Sequence, residues 1–404
     1  MTQRRTARWV WAGVIFLAVI GIAAATRRTL VLFWPAQFGG KFAPAAAMDA
    51  YWTEPAYASY PAKGPEKALG LVIWNHGVDN HLPQYKGPPI PAIEGFAARG
   101  WDVIKLNRNP VWENSWSNAG RRHVARVVEE VAAARKQGYG RIVVAGQSYG
   151  GAIALAAAGA IDGLWAVIAT APGTGQEIRG DRTVGDKWSE AIAQQTYEQL
   201  RKARPTRLVV VFPDADEFIG IKRGAEARAI LGEKPLPFLV VDETAPLKGH
   251  HAAYGDAFNP AATCIGYFLD PATAAASGEF RCGHDEFAAL RSAIRAVKPE
   301  ALAGDGARWF GYFEKSGQEI VLTVPRGEAA ARPLVEYAWG KGVLGKFRAG
   351  AATMAAEHHG AGLMLRLANG AEVEADPAAG GGMRLTFAKE GQAPLVANLL
   401  PVGD

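Results

Sequence analysis

Arg141-Ile142-Val143-Val144-Ala145-Gly146-Gln147-Ser148-Tyr149-Gly150-Gly151-Ala152-Ile153-Ala154-Leu155 decides the reading of this chain. A short apolar run leads into Gly-x-Ser-x-Gly and then into the start of an Ala-rich helix. The run has the length of a buried strand. A strand that turns into a helix within one residue forces that residue into a strained backbone, and glycines on either side make room for the close approach of the two elements. The residue at the apex is Ser148. The helix beginning beneath it favours negative charge at its N-terminus. The bland alternative is a glycine-rich strand–helix turn carrying an ordinary serine.

Similar short apolar runs lie on both sides: Gly70–Trp74, Asp102–Leu106, Leu164–Thr170, Arg207–Phe212 and Pro237–Val241. Their Val/Ile/Leu content suits strands covered on both faces. Between them Val124, Val127, Val128 and Val131 recur at helical spacing, so residues 119–137 are expected to form an amphipathic helix, with Gly138 and Gly140 beyond its end. Alternating strands and helices predict an open, mostly parallel sheet flanked by helices.

Over residues 69–270 the chain resembles the α/β-hydrolase superfamily, particularly its compact dienelactone-hydrolase-like and esterase members. Ser148-Tyr149-Gly150-Gly151 also resembles the elbow of prolyl-oligopeptidase-type serine peptidases, whose propeller has no counterpart here. The two earliest strands of the full hydrolase sheet are not evident. The resemblance implies a nucleophile, an acid and a histidine in that chain order. It places Ser148 as nucleophile. It matches Asn75-His76-Gly77-Val78 to the family's oxyanion loop, with the backbone N–H groups of Val78 and Tyr149 as donors and His76 as a structural loop residue. Pro213-Asp214-Ala215-Asp216 stands where the family has Gly-x-x-Asp, so Asp216 is the acid and Asp214 the alternative, the proline being a departure. Gly249-His250-His251 matches the family's Gly-His, with His250 as base and His251 as alternative.

These residue types also make chemical sense together. A serine hydroxyl is barely ionised at neutral pH; an imidazole must take its proton, and a buried carboxylate holds the imidazole in the right tautomer. The expectation is a serine hydrolase acting on a small carboxyl ester through an acyl-enzyme. One alternative keeps the nucleophile but makes the chain a peptidase or amidase. Another is an inactive hydrolase fold used as an envelope-binding protein. No metal or other cofactor is implied, because adjacent histidines point apart and no acid/His spacing closes a metal site.

Composition bounds the rest. The 404 residues are 49% hydrophobic and 21% charged, enough for a sizeable core. The net charge is +5, and the five arginines within residues 1–28 account for all of it. The remainder is balanced, which argues against a nucleic-acid partner. Trp9 to Ala25 is uncharged and almost wholly apolar, with three arginines before it and two after it. It reads as a signal anchor, or alternatively as a cleaved signal peptide ending at Ala23-Ala24-Ala25. Either reading puts residues beyond it outside the cytoplasm, on the periplasmic side or secreted, with the membrane as partner in the first case. That compartment permits disulfides. Cys264 and Cys282 flank a loop and are expected either to pair or to remain two thiols.

Four regions follow: 1–28 as the membrane or signal segment, 29–66 as irregular chain, 67–298 as the α/β-hydrolase domain and 299–404 as a β-rich C-terminal domain. In the last, Arg308–Phe313, Glu319–Val324, Leu334–Trp339, Leu363–Leu367, Met383–Phe387 and Leu395–Leu399 alternate and are separated by turn signals, predicting a small antiparallel barrel or sandwich. Its aromatics read as core. Residues 170–202, with Trp188 and Tyr197, stand where the family places a lid, and Trp112, Asn114, Trp116 and Asn118 fall in a loop expected to line a pocket.

Overall fold

The computed structural model describes residues 51–78, 84–108, 120–173, 186–242, 247–273, 276–297, 302, 306–325 and 332–403. The apolar segment at 9–25, the loop carrying Trp112 to Asn118, and residues 174–185 lie outside them. Among the described residues no helix is long and apolar enough to cross a membrane.

Eight strands form one sheet in the order β1-β3-β2-β4-β5-β6-β7-β8. They are β1 (Tyr51–Pro55), β2 (Leu71–Asn75), β3 (Asp102–Arg108), β4 (Ile142–Gln147), β5 (Ala166–Thr170), β6 (Leu208–Val211), β7 (Pro237–Val241) and β8 (Gly278–Glu279). All neighbours are parallel except β1, which runs antiparallel to β3. The central strands β2, β4, β5 and β6 are buried along their whole length, which is why their sequences are apolar without alternation. β1 corrects the expectation of irregular chain before residue 66. Its Tyr-Trp-Thr-Glu-Pro sequence is stabilised by pairing with β3.

Helices cover both faces: α1 (Pro91–Arg99), α2 (Arg121–Gln137), α3 (Tyr149–Ala160), α4 (Asp186–Lys202), α5 (Gly224–Gly232), α6 (Asn259–Leu269) and α7 (Asp285–Val297). α2 buries His123, Val127, Val131 and Ala134 on one stripe and ends at Gly138, whose φ of 104° is left-handed. α3 is apolar all round because it lies between the sheet and its neighbours α2 and α4. α2 to α5 pack one apolar core on one face of the sheet, and α1 and α6 pack another on the opposite face. α4 belongs to the first of these, with Ala193, Tyr197 and Leu200 buried. It is therefore a sheet-covering helix and not a lid.

Residues 306–403 form a closed antiparallel barrel in which each strand pairs with the next and the last pairs with the first. The strands are β9 (Gly306–Phe313), β10 (Glu319–Pro325), β11 (Leu334–Trp339), β12 (Gly350–His359), β13 (Gly362–Arg366), β14 (Glu372–Pro377), β15 (Met383–Ala388) and β16 (Leu395–Val402). Alternation sends Ile320 and Leu322 into the barrel and Val321 out of it. The outward set Phe310, Val321, Ala338 and Ala351 is not wet: α7 covers it with Phe287, Leu290 and Ile294. The β11–β12 connection reaches further and seats Val343 beside Ile93 and Phe96 of α1. Arg99 donates to the Gly342 carbonyl at 3.2 Å, and Thr263 Oγ1 donates to the Gly317 carbonyl at 2.8 Å. The barrel is thus docked on the α1/α6/α7 face by packing and by hydrogen bonds.

Candidate active site

Ser148 follows β4 with φ 55° and ψ −121°. This strained turn is held by short backbone bonds. Ser148 N–H donates to Thr170 O at 2.9 Å, and its own carbonyl accepts from Ala152 at 3.0 Å and Gly173 at 3.1 Å. The neighbouring glycines are obligatory. A Cβ on Gly150 would stand 2.0 Å from Asn75 O, and one on Gly146 would stand 2.2 Å from Gly150 O. Ala171 and Ala215 also adopt left-handed φ, so the carboxyl ends of β4, β5 and β6 each carry a strained residue. Such strain gathers where surrounding structure must aim a functional group.

The acid and histidine loops are laced together by backbone. Asp214 N–H donates to Leu247 O at 2.7 Å, and Gly249 N–H donates to Asp214 O at 2.8 Å. This places the Asp216 carboxylate against His250, with both oxygens 3.0 Å from Nδ1. Both residues are buried. Asp216 Oδ1 also accepts the N–H groups of Phe218 and Ile219, each at 3.0 Å. Asp214 contributes its backbone, and His251 is exposed with its ring 5.3 Å from that of His250. Of the alternatives weighed from sequence, the structure therefore brings Asp216 and His250 together. Ser148 is half-buried. The link from its turn to the histidine loop is Gln147, whose Nε2 donates to His250 O at 3.2 Å. No hydrogen bond between Ser148 Oγ and the imidazole occurs among the described contacts; such bonds commonly tighten only with substrate in place.

Gly77 lies against the serine: a Cβ there would be 3.3 Å from Ser148 Cβ. The His76–Val78 segment therefore abuts Ser148, and Val78 is half-buried. His76 itself is a buried brace. Its Nε2 accepts from Arg108 N–H at 3.1 Å, so Nδ1 carries the proton and donates to Gly77 O at 2.7 Å. Burial first, and then the neighbouring Arg108 charge, push the His76 pKa well below the usual histidine value.

Three buried groups here escape sequence reasoning. Arg108 donates to the carbonyls of His76 and Gly77. His123 Nδ1 is 2.9 Å from the hydroxyl of Tyr149. Burial and then Arg108 lower its pKa to about 3, so it is neutral. Arg223 donates to Pro172 O at 2.5 Å and to Thr196 Oγ1 at 3.3 Å, with its guanidinium 4.6 Å from the Phe212 ring centroid. Burial lowers its pKa to about 10, against the opposing pull of the Asp216 charge. Their only sequence signal is a polar residue at the end of a strand (Arg108), in an apolar helix stripe (His123) or just ahead of a helix (Arg223).

Cys264 and Cys282 form a disulfide, with Cα atoms 5.7 Å apart. Among the described residues no group of three acidic, histidine or cysteine side chains could hold a metal.

No family model and no curated protein matches the chain. Solved structures do. Est1E from Butyrivibrio proteoclasticus is 16% identical, the match covering 54% of this chain and 92% of that one with a TM-score of 0.37. A sugar hydrolase from Lactococcus lactis is 16% identical, covering 55% and 94%, at 0.39. A puromycin-hydrolyzing peptidase of Mycobacterium tuberculosis is 12% identical, covering 57% of this chain and 38% of its own, at 0.40. Likeness at this level says nothing of chemistry. The strand order, the strained elbow and the chain order of serine, acid and histidine give the first domain the α/β-hydrolase fold in their own right.

Proposed function

We propose that this chain is an extracytoplasmic serine hydrolase that cleaves carboxyl esters. The observation that carries the reading is the buried Asp216 carboxylate on His250 Nδ1 beside the strained Ser148 turn. In this reading Ser148 Oγ attacks the ester carbonyl while His250 Nε2 takes its proton. The N–H groups of Val78 and Tyr149 hold the oxyanion, each such donor being worth roughly 3 kcal/mol in the transition state. Collapse expels the alcohol, which leaves with the proton from His250. Water, deprotonated by the same imidazole, then attacks the acyl-enzyme and releases the acid and Ser148. Asp216 stays ionised throughout and stabilises the imidazolium.

The location rests on the apolar 9–25 segment and is supported by the disulfide, which persists in oxidising compartments. A peptidase reading is favoured by one feature, Ser148-Tyr149-Gly150-Gly151. Labelling by a fluorophosphonate tests the nucleophile. The parent is expected to label, and Ser148→Ala and His250→Ala are expected not to. A folded parent that does not label would point to a binding protein instead. Rates on an ester and an amide of the same acyl group then separate the two hydrolase readings, and an ester-to-amide ratio near one would favour the peptidase.

A further inference from the structure

We propose that Arg108 is a positioning residue that acts on the oxyanion hole through the Gly77–Val78 peptide, an inference that rests on the serine-hydrolase reading above. Arg108 ends β3, the strand beside β2, and is 1% exposed. Its Nη2 donates to His76 O and, at 3.3 Å, to Gly77 O. Gly77 O also accepts Nδ1–H of His76 at 2.7 Å. One carbonyl oxygen thus takes two donors, one of them cationic.

That carbonyl and the N–H of Val78 belong to the same peptide group. Drawing electron density toward the oxygen polarises the peptide and makes its N–H a better donor. The side chain of the residue carrying the second donor lies beside the same guanidinium. Tyr149 follows the nucleophile, its ring centroid is 5.4 Å from Arg108 Cζ, and its hydroxyl is fixed by His123. A guanidinium out of contact with water is screened little, so its field at the developing oxyanion is not lost to solvent. The arrangement has the features of a preorganised charge: fixed by two guanidinium bonds to the carbonyls of one short loop, buried, and unable to lose its proton at working pH.

A purely structural brace and a charged one differ in what they leave behind. If Arg108 acts on the transition state, its replacement lowers kcat and leaves KM nearly unchanged. The test uses the full chain, an activated acetate ester and a trifluoromethyl ketone, which captures the serine as a hemiketal oxyanion. Arg108→Gln is expected to lose roughly 10²-fold in kcat, with KM within about 3-fold, and to lose ketone affinity in parallel. Arg108→Lys keeps the charge and reaches fewer carbonyls, so its kcat is expected to fall between the two. Parental kcat and ketone affinity in folded Arg108→Gln overturn the proposal. If Arg108→Gln does not fold, Arg108→Lys decides: a parental kcat and ketone affinity overturn it. A loss confined to KM overturns it too, since that marks a binding surface and not an oxyanion effect. A parent that neither labels at Ser148 nor hydrolyses the ester overturns the serine-hydrolase reading, and this inference with it.

Discussion

The Asp216 carboxylate faces His250 Nδ1 symmetrically, both oxygens at 3.0 Å, and only Oδ1 is also tied to backbone, through Phe218 and Ile219. Its orientation is therefore set from two sides, and the residue cannot swing away without giving up all of these bonds. Asp216→Asn keeps the shape but presents an amide to an imidazole that then adopts the wrong tautomer. A kcat loss on the order of 10⁴-fold is expected, without loss of folding. Asp214→Asn, which leaves the backbone bonds intact, is expected to change kcat less than about 3-fold. Steady-state rates on one ester decide between them, and the reverse pattern would exchange the two roles.

The seam between the domains holds two buried carboxyls. Tyr312 donates its hydroxyl to Glu286, and Gly342 N–H donates to Glu319 Oε2 at 2.8 Å. Burial raises both pKa values above 4.5, each of the two nearby tyrosines Tyr267 and Tyr312 being pushed up as well, while Arg99 pulls the carboxyls down. An acid whose folded pKa is raised is bound to its proton more firmly in the folded state. Its contribution is complete below about pH 4.5 and is lost as pH rises through the folded value. Glu286→Gln is therefore expected to match the parent near pH 4 and to exceed it in stability at pH 8. Urea midpoints at the two pH values check this, and equal differences at both would refute it.

His123 works in the opposite direction. Its folded pKa of about 3 lies below the 6.5 of the unfolded chain. Between these values the unfolded state binds more protons, so stability falls as pH drops from 6.5 toward 3. His123→Gln keeps a partner for the Tyr149 hydroxyl and removes the titration. Its stability is expected to vary less over that interval than the parent's, measured by urea midpoints at pH 4.5 and 6.5.

The Cys264–Cys282 bond closes a loop of eighteen residues. Chain-entropy reasoning gives about 3 kcal/mol for a loop of this size. Denatured but unreduced protein is expected to show no reactive thiol, and Cys282→Ala is expected to be destabilised by about that amount. Two titratable thiols in the unreduced protein would contradict the pairing.

Gly150→Ala has a sharper expected outcome. A Cβ at that position meets Asn75 O at 2.0 Å, backbone that cannot rotate aside. Strand β2 and helix α3 would have to part, so fluorophosphonate labelling at Ser148 is expected to disappear even in whatever fraction of the protein stays soluble. Retained labelling would mean that the elbow tolerates a wider turn than its glycines suggest.

What could be read in advance follows from where the information resides. β4, Ser148 and α3 are contiguous, and their spacing of apolar residues and glycines is a local signal. Asp216 and His250 came from matching family motifs at the ends of readable strands. Arg108 and His76 are 32 residues apart, and His123 and Tyr149 are 26 apart; only the adjacency of β3 to β2 and of α2 to α3 brings them together. In the barrel, Gly350–His359 and Glu372–Pro377 were not anticipated. Ala and Glu are poor strand formers, and these segments are extended because a closing ring needs partners for β11, β13 and β15. Tyr197 misled in another way: a polar helix in a lid position hid a buried stripe that faces the sheet.

Val343 sets an order of manufacture. It completes the apolar packing around Ile93 and Phe96, yet it is encoded some 250 residues after them, beyond the whole eight-stranded sheet. A Cβ on Gly95 would collide with the Val343 carbonyl at 2.5 Å, so α1 is already shaped to receive a segment that has not yet been translated. When the ribosome finishes residue 300, Ser148, Asp216 and His250 all exist, but one wall of their scaffold is missing. The ring that presents Val343 closes only when β16 reaches β9. Strand β16 therefore completes a packing surface around residues translated some 300 positions before it.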